Sequence, residues 1–450
     1  MSPLQSQMSV KNCSVFHDNG LALASKTGEE IRILDMESSR SFVHRFFRNR
    51  LLQTLVISLI GMVVGASASH FLPWQPSSTR PVSEIGTRMR PGPWGELYYI
   101  PFSIAAPEEL LPIRALEAEG THWLFKDFSL SQLTHFFDSM ELPTDLQYAL
   151  LEPAIAHVKP SGVELTPTPA MVVALPAAAR QVIYRQLAQF FENRSIFSFI
   201  HKSTLGDRFD GSGISGQTLA LFHTLSCEHG DYLVFGGLSA MLSQLPDYEE
   251  KVRFMKALTR QKTMLLRLNL TRNSDLGALA GYWGRGSWAT NTRTILESIQ
   301  RVPGGAYTDV RALLPPMPAS QLYDYPVDQP TSLNDDAPQR DCHWTSLNFF
   351  RDTAALEPVD PALFAKEITE RCYPSFGDPR YGDILVLANP NGNIVHSAVF
   401  IADDVVFTKN GATAIYPWMF STIPDLLKQY SFLAPDGQQL VLHYFRNKTL

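Results

Sequence analysis

DCHWTSLNFF, residues 341–350, is the stretch from which the fold of the C-terminal part can be argued. Asp341 is a typical N-cap residue, so Cys342 is expected in the first turn of an amphipathic helix. The free N–H groups and the positive dipole end of a helix lower the pKa of a thiol placed there. Cys342 is therefore a candidate nucleophile, provided that an imidazole lies nearby.

Two later segments, GDILVL (382–387) and IVHSAVF (394–400), predict neighbouring strands. The first follows a turn signal, and the second alternates between two sets of side chains, which is typical of a strand. His396 lies on the second strand, where it could face the helix that carries Cys342. A helix-borne cysteine facing a strand-borne histidine is a papain-like arrangement.

A third polar residue is expected to orient the imidazole of His396. The chain turns near residues 403–404, and paired positions in a hairpin have nearly constant index sums. The cross-strand partner of His396 is thus expected at about position 410, which makes Asn410 the candidate. Lys409 and Thr408 stay open as alternatives, because a one-residue slip of the register would exchange the faces.

The ordered set of Asp-Cys, Gly-Asp and strand-borne His resembles the NlpC-type branch of the papain-like cysteine peptidases and amidases. The resemblance covers residues 326–450. The sequence departs from the family pattern at the third polar residue, which is commonly His, Asn or Gln in the family. It implies that Cys342 attacks an amide carbonyl, that His396 transfers the proton and that Asn410 fixes the ring. It also implies a peptide or amide substrate, with cell-wall peptides (peptidoglycan) as the suggested class, and no cofactor or metal.

A non-enzymatic interpretation stands beside this one. Most free cysteines are buried structural thiols, and a core histidine bonded to a backbone carbonyl would look the same in sequence. The C-terminal region would then be a degenerate papain-like domain in a membrane-anchored scaffold or binding protein. His443, on a predicted strand at 440–445, is a fallback base if His396 is not the catalytic one.

Composition limits the classes of function. The 450 residues carry 38 basic and 44 acidic side chains, a formal charge of −6 that gives no nucleic-acid footprint. Residues 51–70 contain an uncharged apolar stretch preceded by arginines, which predicts a transmembrane signal anchor with residues 1–50 as a cytoplasmic tail. The alternative is a signal peptide cleaved near Ala68, with Met36 as the true start, so the remainder is membrane-anchored or exported.

The fold class predicted for the remainder is α+β. Residues 71–105 have the proline content of a linker, with a short edge strand predicted at 96–102, and residues 106–325 predict a mainly helical domain. No repeat period emerges from the helical patterns. The papain-like domain at 326–450 should carry the Cys342 helix on an antiparallel sheet, with the helical domain flanking the cleft.

Other motifs predict little chemistry. GSGISG (211–216) lacks a preceding strand and indicates a loop that ends at a helix start. The ligand types around Cys227 lack zinc spacing, so no metal site is expected there. In an oxidising compartment Cys227 and Cys372 could form a disulfide, whereas a Cys342–Cys372 bond would abolish the proposed chemistry.

Overall fold

The computed structural model describes residues 86–450 except 191, 194–196, 329–338, 356 and 435–437. Within these residues the chain is a mixed α+β structure whose sheets are antiparallel, as the predicted fold class requires. The predictions for residues 1–50 and 51–70 fall outside the described residues. Among the helices that are described, none is both long and apolar enough to cross a membrane.

Helices and strands alternate along most of the described chain. The α-helices are α1 (Ile113–Glu119), α2 (Leu130–Asp138), α3 (Thr144–Leu151), α4 (Pro169–Ala174), α5 (Ala177–Leu187), α6 (Leu205–Phe209), α7 (Gly216–Thr224), α8 (Leu238–Gln244), α9 (Tyr248–Thr259), α10 (Leu276–Trp283), α11 (Ala289–Gln300), α12 (Pro316–Gln321), α13 (Cys342–Asn348), α14 (Pro361–Arg371) and α15 (Ile423–Tyr430). The strands are β1 (Thr87–Arg88), β2 (Glu96–Ile104), β3 (Trp123–Lys126), β4 (Ala156–Lys159), β5 (Gly162–Leu165), β6 (Ser198–His201), β7 (Ser226–His229), β8 (Tyr232–Phe235), β9 (Gln261–Leu270), β10 (Ala306–Asp309), β11 (Cys372–Ser375), β12 (Ile384–Ala388), β13 (Ile394–Ala402), β14 (Val405–Lys409), β15 (Trp418–Thr422) and β16 (Val441–Asn447).

The C-terminal region is built on a six-stranded sheet in the order β11-β16-β12-β13-β14-β15. The strands predicted at 382–387, 394–400 and 440–445 are confirmed within two residues at each end. β12 is buried along its whole length, because helices cover both faces of the sheet. The sheet therefore has the two-sided core that the apolar runs in these strands predict.

Each face of this sheet is covered by a different helix. Val399, Ile401 and Phe407 pack with Trp344 of α13 on one face. Ala398 and Val406 pack with residues of α15 on the other. The predicted packing of the Cys342 helix on an antiparallel sheet is thus observed, with α13 contacting β13 and β14.

The segment predicted to be a linker, residues 71–105, ends earlier than expected. β2 pairs along its nine residues with β9, in a second sheet ordered β1-β2-β9-β10. β2 is not an edge strand, and Pro101 is tolerated because β1 pairs with β2 only at Tyr98 and Tyr99. The Thr263 hydroxyl of β9 donates to the carbonyl oxygen of Phe420 at 2.8 Å, which ties this sheet to the C-terminal one.

Residues 123–187 and 198–259 form two copies of one structural unit, which the helical patterns do not predict. Each unit consists of a strand, two helices, two strands and two more helices. In the sheet of each unit, the third strand lies between the first and the second. Ala156 and Ser226 begin equivalent strands, as do Gly162 and Tyr232, at an offset of 70 residues in both pairs. The repeat lies in the order of strands and helices, which is why no repeat period emerges from the helical patterns alone.

The two units share a core rather than forming separate domains. Buried residues of both belong to one apolar cluster that also contains Ala414 and Ile415 of the C-terminal region. Arg180 of the first unit, 2% exposed, donates to the carbonyl oxygen of Thr224 in the second. Helices are present throughout residues 106–325, but short strands of four residues lie between them, which the prediction of a mainly helical domain does not include.

Candidate functional site

Asp341 caps α13 as predicted, which fixes Cys342 as the first residue of the helix. One Asp341 carboxylate oxygen, Oδ1, accepts hydrogen bonds from the backbone N–H groups of His343 at 2.8 Å and Trp344 at 3.0 Å. The negative charge of Asp341 offsets the positive potential that the dipole of this seven-residue helix creates at its N-terminus. A thiolate at Cys342 therefore needs support from a neighbouring cationic group.

The imidazole that contacts Cys342 is that of the next residue, His343. Its Nδ1 lies 3.8 Å from the Cys342 sulfur and 3.0 Å from the Ser397 hydroxyl oxygen. Ser397 in turn donates to the carbonyl oxygen of Cys342 at 3.1 Å, so its oxygen can accept a hydrogen bond from Nδ1 once that nitrogen carries a proton. Cys342, His343 and Ser397 thus form one connected network between α13 and β13.

The His343 ring is held on its other side by Phe364, with ring centroids 4.3 Å apart. Burial lowers the pKa of His343, and the nearby carboxylate of Asp341 partly offsets this by favouring the imidazolium. His343 is 5% exposed and Cys342 is 8% exposed, so both groups lie just below the surface.

His396, the histidine predicted to be catalytic, is held in the core by two contacts. Its Nε2 lies 2.9 Å from the Thr408 hydroxyl oxygen, and its ring stacks on Tyr430 with centroids 4.2 Å apart. Thr408 donates to the carbonyl oxygen of Ser397 at 3.4 Å, which leaves its oxygen able to accept a hydrogen bond from Nε2–H. We assign this tautomer, in which Nδ1 carries no proton.

Cys342 and His396 do not contact each other in the described structure. Neighbouring residues of a strand point to opposite faces, and Ser397 points toward α13 whereas His396 points toward Tyr430 of α15. Burial raises the pKa of Tyr430 well above its usual value, and charge on Cys342 adds to this. The predicted dyad is therefore not preformed.

Asn410 does not orient His396, contrary to the prediction. The Asn410 side-chain amide donates to Gln429 at 3.1 Å, while Thr408, one of the two alternatives, contacts the imidazole. β14 ends at Lys409, so Asn410 leaves the strand and turns toward α15. The register of β13 and β14 places position 410 opposite His396. The imidazole instead contacts Thr408, which lies two residues earlier on the same face of the sheet.

The contact between Thr408 and His396 gives the first testable prediction. Thr408→Val keeps the side-chain shape but leaves the buried Nε2–H without an acceptor, which should cost about 1–3 kcal/mol of unfolding free energy. Thr408→Ser, which retains the hydroxyl, should lose clearly less. Urea unfolding of both variants measures the difference, and equal losses would contradict the assigned hydrogen bond.

Lys409, the other alternative, has a structural role in the loop that follows β14. Its ammonium donates to the carbonyl oxygens of Gly411, Ala412 and Thr413 at 2.7, 2.8 and 2.9 Å. In the protonated form all three donors are used, so the side chain offers no lone pair until the ammonium loses a proton. Burial lowers the pKa of Lys409 to about 7, although the charges of Asp341 and Cys342 act in the opposite direction.

The lowered pKa of Lys409 predicts a pH dependence of stability. Between about pH 7 and its ordinary value of 10.5, the unfolded chain binds a proton at this position that the folded chain does not. Stability should therefore rise with pH across this window, and fall as pH decreases toward 7. The slope of unfolding free energy against pH should be smaller in Lys409→Met than in the parent protein, and unchanged in the more exposed Lys428→Met.

Asp383 has a structural role, as expected from its position at the start of a strand. Its two carboxylate oxygens accept from Nε and Nη2 of Arg446 at 2.8 and 2.6 Å, and Oδ2 also accepts from the backbone N–H of Arg380 at 2.8 Å. The Asp383 side chain is 3% exposed and that of Arg446 is 17% exposed. This buried bidentate pair joins the start of β12 to β16.

No disulfide joins the described cysteines, since Cys227, Cys342 and Cys372 are all free thiols. The suggested Cys227–Cys372 bridge is therefore not formed. Burial raises the pKa of Cys227 to about 11 and also raises that of Cys372. Donor atoms of Asp341, Cys342 and His343 lie within 4.8 Å of one another, but Asp341 is already engaged as the helix cap, so we assign no metal to them.

A cavity of about 1180 Å³ lies beside this site. It is lined by residues of both repeated units and by residues of the C-terminal region that include Asn410 and Tyr430. Tyr430 connects it to the site, because the same ring stacks on His396. Residues of the predicted helical domain thus flank the C-terminal site region, in line with the predicted position.

Comparisons of the chain with protein-family models, with curated proteins and with solved structures return no match. Its function must therefore be inferred from the residues and contacts described above.

Proposed function

We propose that residues 326–450 form a papain-like thiol hydrolase that cleaves amide bonds with Cys342 as the nucleophile. The observation that carries the proposal is the contact of 3.8 Å between the Cys342 sulfur and Nδ1 of His343, at the start of a helix packed on an antiparallel sheet. A cysteine paired with an imidazole in this way is the usual means of activating a thiol in hydrolases. The resemblance to the NlpC-type branch supports the same chemistry.

In this mechanism Nδ1 of His343 takes the thiol proton. The resulting Nδ1–H is stabilised by the Ser397 oxygen at 3.0 Å and by the Asp341 carboxylate, while burial of the ring limits how readily it becomes charged. The thiolate then attacks the amide carbonyl, and the imidazolium protonates the leaving amine. Water hydrolyses the thioester, with the imidazole accepting a proton from the water.

His396 is the alternative base, because the family resemblance gives the catalytic role to that position. Thr408 holds its Nε2 and leaves Nδ1 unprotonated, which suits a base. Its use would require His396 or Cys342 to move, since the two are not in contact in the described structure. Catalytic hydrogen bonds that are absent without substrate can form when it binds.

Peptide amides are the substrate class that this chemistry serves, and the resemblance suggests cell-wall peptides. The uncharged stretch at 51–70 supports a location at the membrane with the C-terminal part outside the cytoplasm, or export after cleavage near Ala68. Hydrolysis of cell-wall peptides would require such a location.

A non-enzymatic scaffold or binding protein with a degenerate papain-like domain is the second candidate. Two observations favour it: Cys342 is only 8% exposed, and His396 is buried, with its Nε2 bonded to Thr408 and its ring stacked on Tyr430. Both would be expected of structural residues.

A hydrolysis assay separates the two functions. The purified full-length protein, in mild detergent, is incubated with peptidoglycan fragments and with synthetic peptides, and released amines are quantified by mass spectrometry. The hydrolase predicts amine release that depends on Cys342. An absence of release from every substrate, together with an unreactive Cys342, would favour the scaffold.

A further inference from the structure

The large cavity beside the C-terminal site has the size and lining of a ligand site. Its volume of about 1180 Å³ lies slightly above the range of roughly 300–1,000 Å³ that is usual for clefts binding small organic molecules. Aromatic side chains from both sides line it, namely Tyr184, Phe197, Phe199, Tyr416, Tyr430 and Phe432. Such a lining favours a ligand with an apolar body.

Three residues that line the cavity carry buried polar atoms without a hydrogen-bond partner in the described structure. They are the Tyr184 hydroxyl, Nε of Arg208 and Oδ1 of Asn410. Each of these atoms has less than 1 Å² of accessible surface, so neither water nor a ligand in the cavity reaches it until the surrounding side chains shift. Buried polar atoms are rarely left unpaired, which points to a missing partner. That partner must accept from the Tyr184 hydroxyl and from Nε of Arg208, and donate to Oδ1 of Asn410.

The charge of the lining favours an anion. Arg185 and Arg208 contribute two guanidinium groups, while Glu228, the acidic residue in the lining, pairs with Lys202 at 2.7 Å. The hydrogen bonds of Arg208 go to the carbonyl oxygens of Leu258 at 2.5 Å and Arg260 at 3.4 Å, and not to a carboxylate. Burial lowers the pKa of Arg208, so an anion in the cavity would relieve the cost of burying this charge.

We propose that the cavity binds the C-terminal end of a short apolar peptide. On binding, the side chains that cover these atoms would shift, so that the peptide carboxylate accepts from Arg208 and Tyr184 and faces Arg185. A peptide N–H would then donate to Asn410, and apolar side chains would pack on the aromatic lining. Fatty acids share the apolar body and the carboxylate but lack the N–H group. Binding does not require a reactive Cys342, so the site stands whether or not the chain is a hydrolase.

Fluorescence titration of the full-length protein tests the proposal with three probes. These are dansyl-Ala-Leu-Phe with a free carboxylate, the same peptide as its C-terminal amide, and dansyl-undecanoic acid. We expect the peptide acid to bind about tenfold more tightly than its amide, because the amide loses a charge-assisted hydrogen bond. The fatty acid should bind more weakly than the peptide acid.

Variants locate the site. Arg208→Met should remove the preference for the acid, and Arg185→Met, an exposed position that cannot threaten the fold, should reduce it several-fold. Tyr184→Phe, which removes only the hydroxyl, should weaken the peptide acid several-fold. Arg293→Met, at an exposed arginine on α11, is the matched control and should change nothing.

Three results would overturn the proposal. Equal affinity of the acid and the amide would exclude recognition of the carboxylate. Tighter binding of the fatty acid than of the peptide acid would exclude a peptide ligand. Full binding in both Arg185→Met and Tyr184→Phe would place the ligand outside this cavity.

Discussion

Cys342→Ser should reduce amide hydrolysis by about 10³-fold or more, because the hydroxyl of serine is a far weaker nucleophile than a thiolate at neutral pH. The substitution changes one atom in a position held by the cap at Asp341 and by the Ser346 and Ser397 hydroxyls, which contact the Cys342 carbonyl rather than its sulfur. The fold should therefore be retained, and circular dichroism would verify this.

Cys227→Ser is the matched control for this loss of activity. Cys227 is a free thiol outside the network of Cys342, His343 and Ser397, so its replacement should leave hydrolysis within a few-fold of the parent rate. The measurement is the rate of amine release under conditions in which the parent protein turns over. Hydrolysis that persists in Cys342→Ser would eliminate Cys342 as the nucleophile.

The largest expected effect on stability is that of Asp383→Leu. It removes the partner of a mostly buried guanidinium, Arg446, together with the acceptor for the Arg380 N–H. Breaking a buried ion pair from one side costs about 3–5 kcal/mol, because the remaining charge stays in a poorly solvated position. Urea unfolding monitored by fluorescence measures the loss.

Two comparisons make this prediction specific. The double variant Asp383→Leu with Arg446→Leu should recover part of the loss, since no unpaired charge remains. Glu297→Ala removes an exposed ion pair with Arg293, and should cost less than about 1 kcal/mol. A loss below about 1 kcal/mol in Asp383→Leu would show that the buried pair is not a structural tie between β12 and β16.

The C-terminal sheet could be predicted because its strands carry strong local signals. The alternation in residues 394–402 and the turn near residues 403–404 give the strand and its register, and Val399 does pair with Phe407. The orienting residue could not be predicted, because it depends on where β14 ends. Asn410 lies one residue beyond that end, which places Thr408 rather than Asn410 against His396.

The contact between Cys342 and His343 was missed for a different reason. Adjacent residues on a helix do not normally face each other, so spacing gives no reason to pair them. The contact forms at the first turn, where Ser397 of β13 also holds the His343 ring. Only the packing of α13 on this strand reveals it.

The repeated unit was missed because its signals are short and diverged. Its strands have four residues each, too few for a pattern of alternation, and the same structure arises from different apolar residues. The Leu-Pro pairs at residues 175–176 and 245–246, at the same offset of 70 as the strands, are a signal that sequence reasoning could have used.

The most direct test of Cys342 as an imidazole-activated nucleophile is its rate of alkylation at pH 7. The full-length protein is treated with iodoacetamide and the labelled cysteines are quantified by peptide mass spectrometry, with Cys227 as the slow internal reference. We predict that Cys342 reacts faster than Cys227. The substitution His343→Leu should slow alkylation of Cys342 about tenfold or more, and His343→Asn, which keeps a polar atom near the Nδ1 position, should slow it less. The substitution His396→Gln should leave the rate for Cys342 unchanged. A rate for Cys342 no greater than that of Cys227, or one insensitive to both histidines, would contradict the account, and a loss confined to His396→Gln would transfer the role to His396.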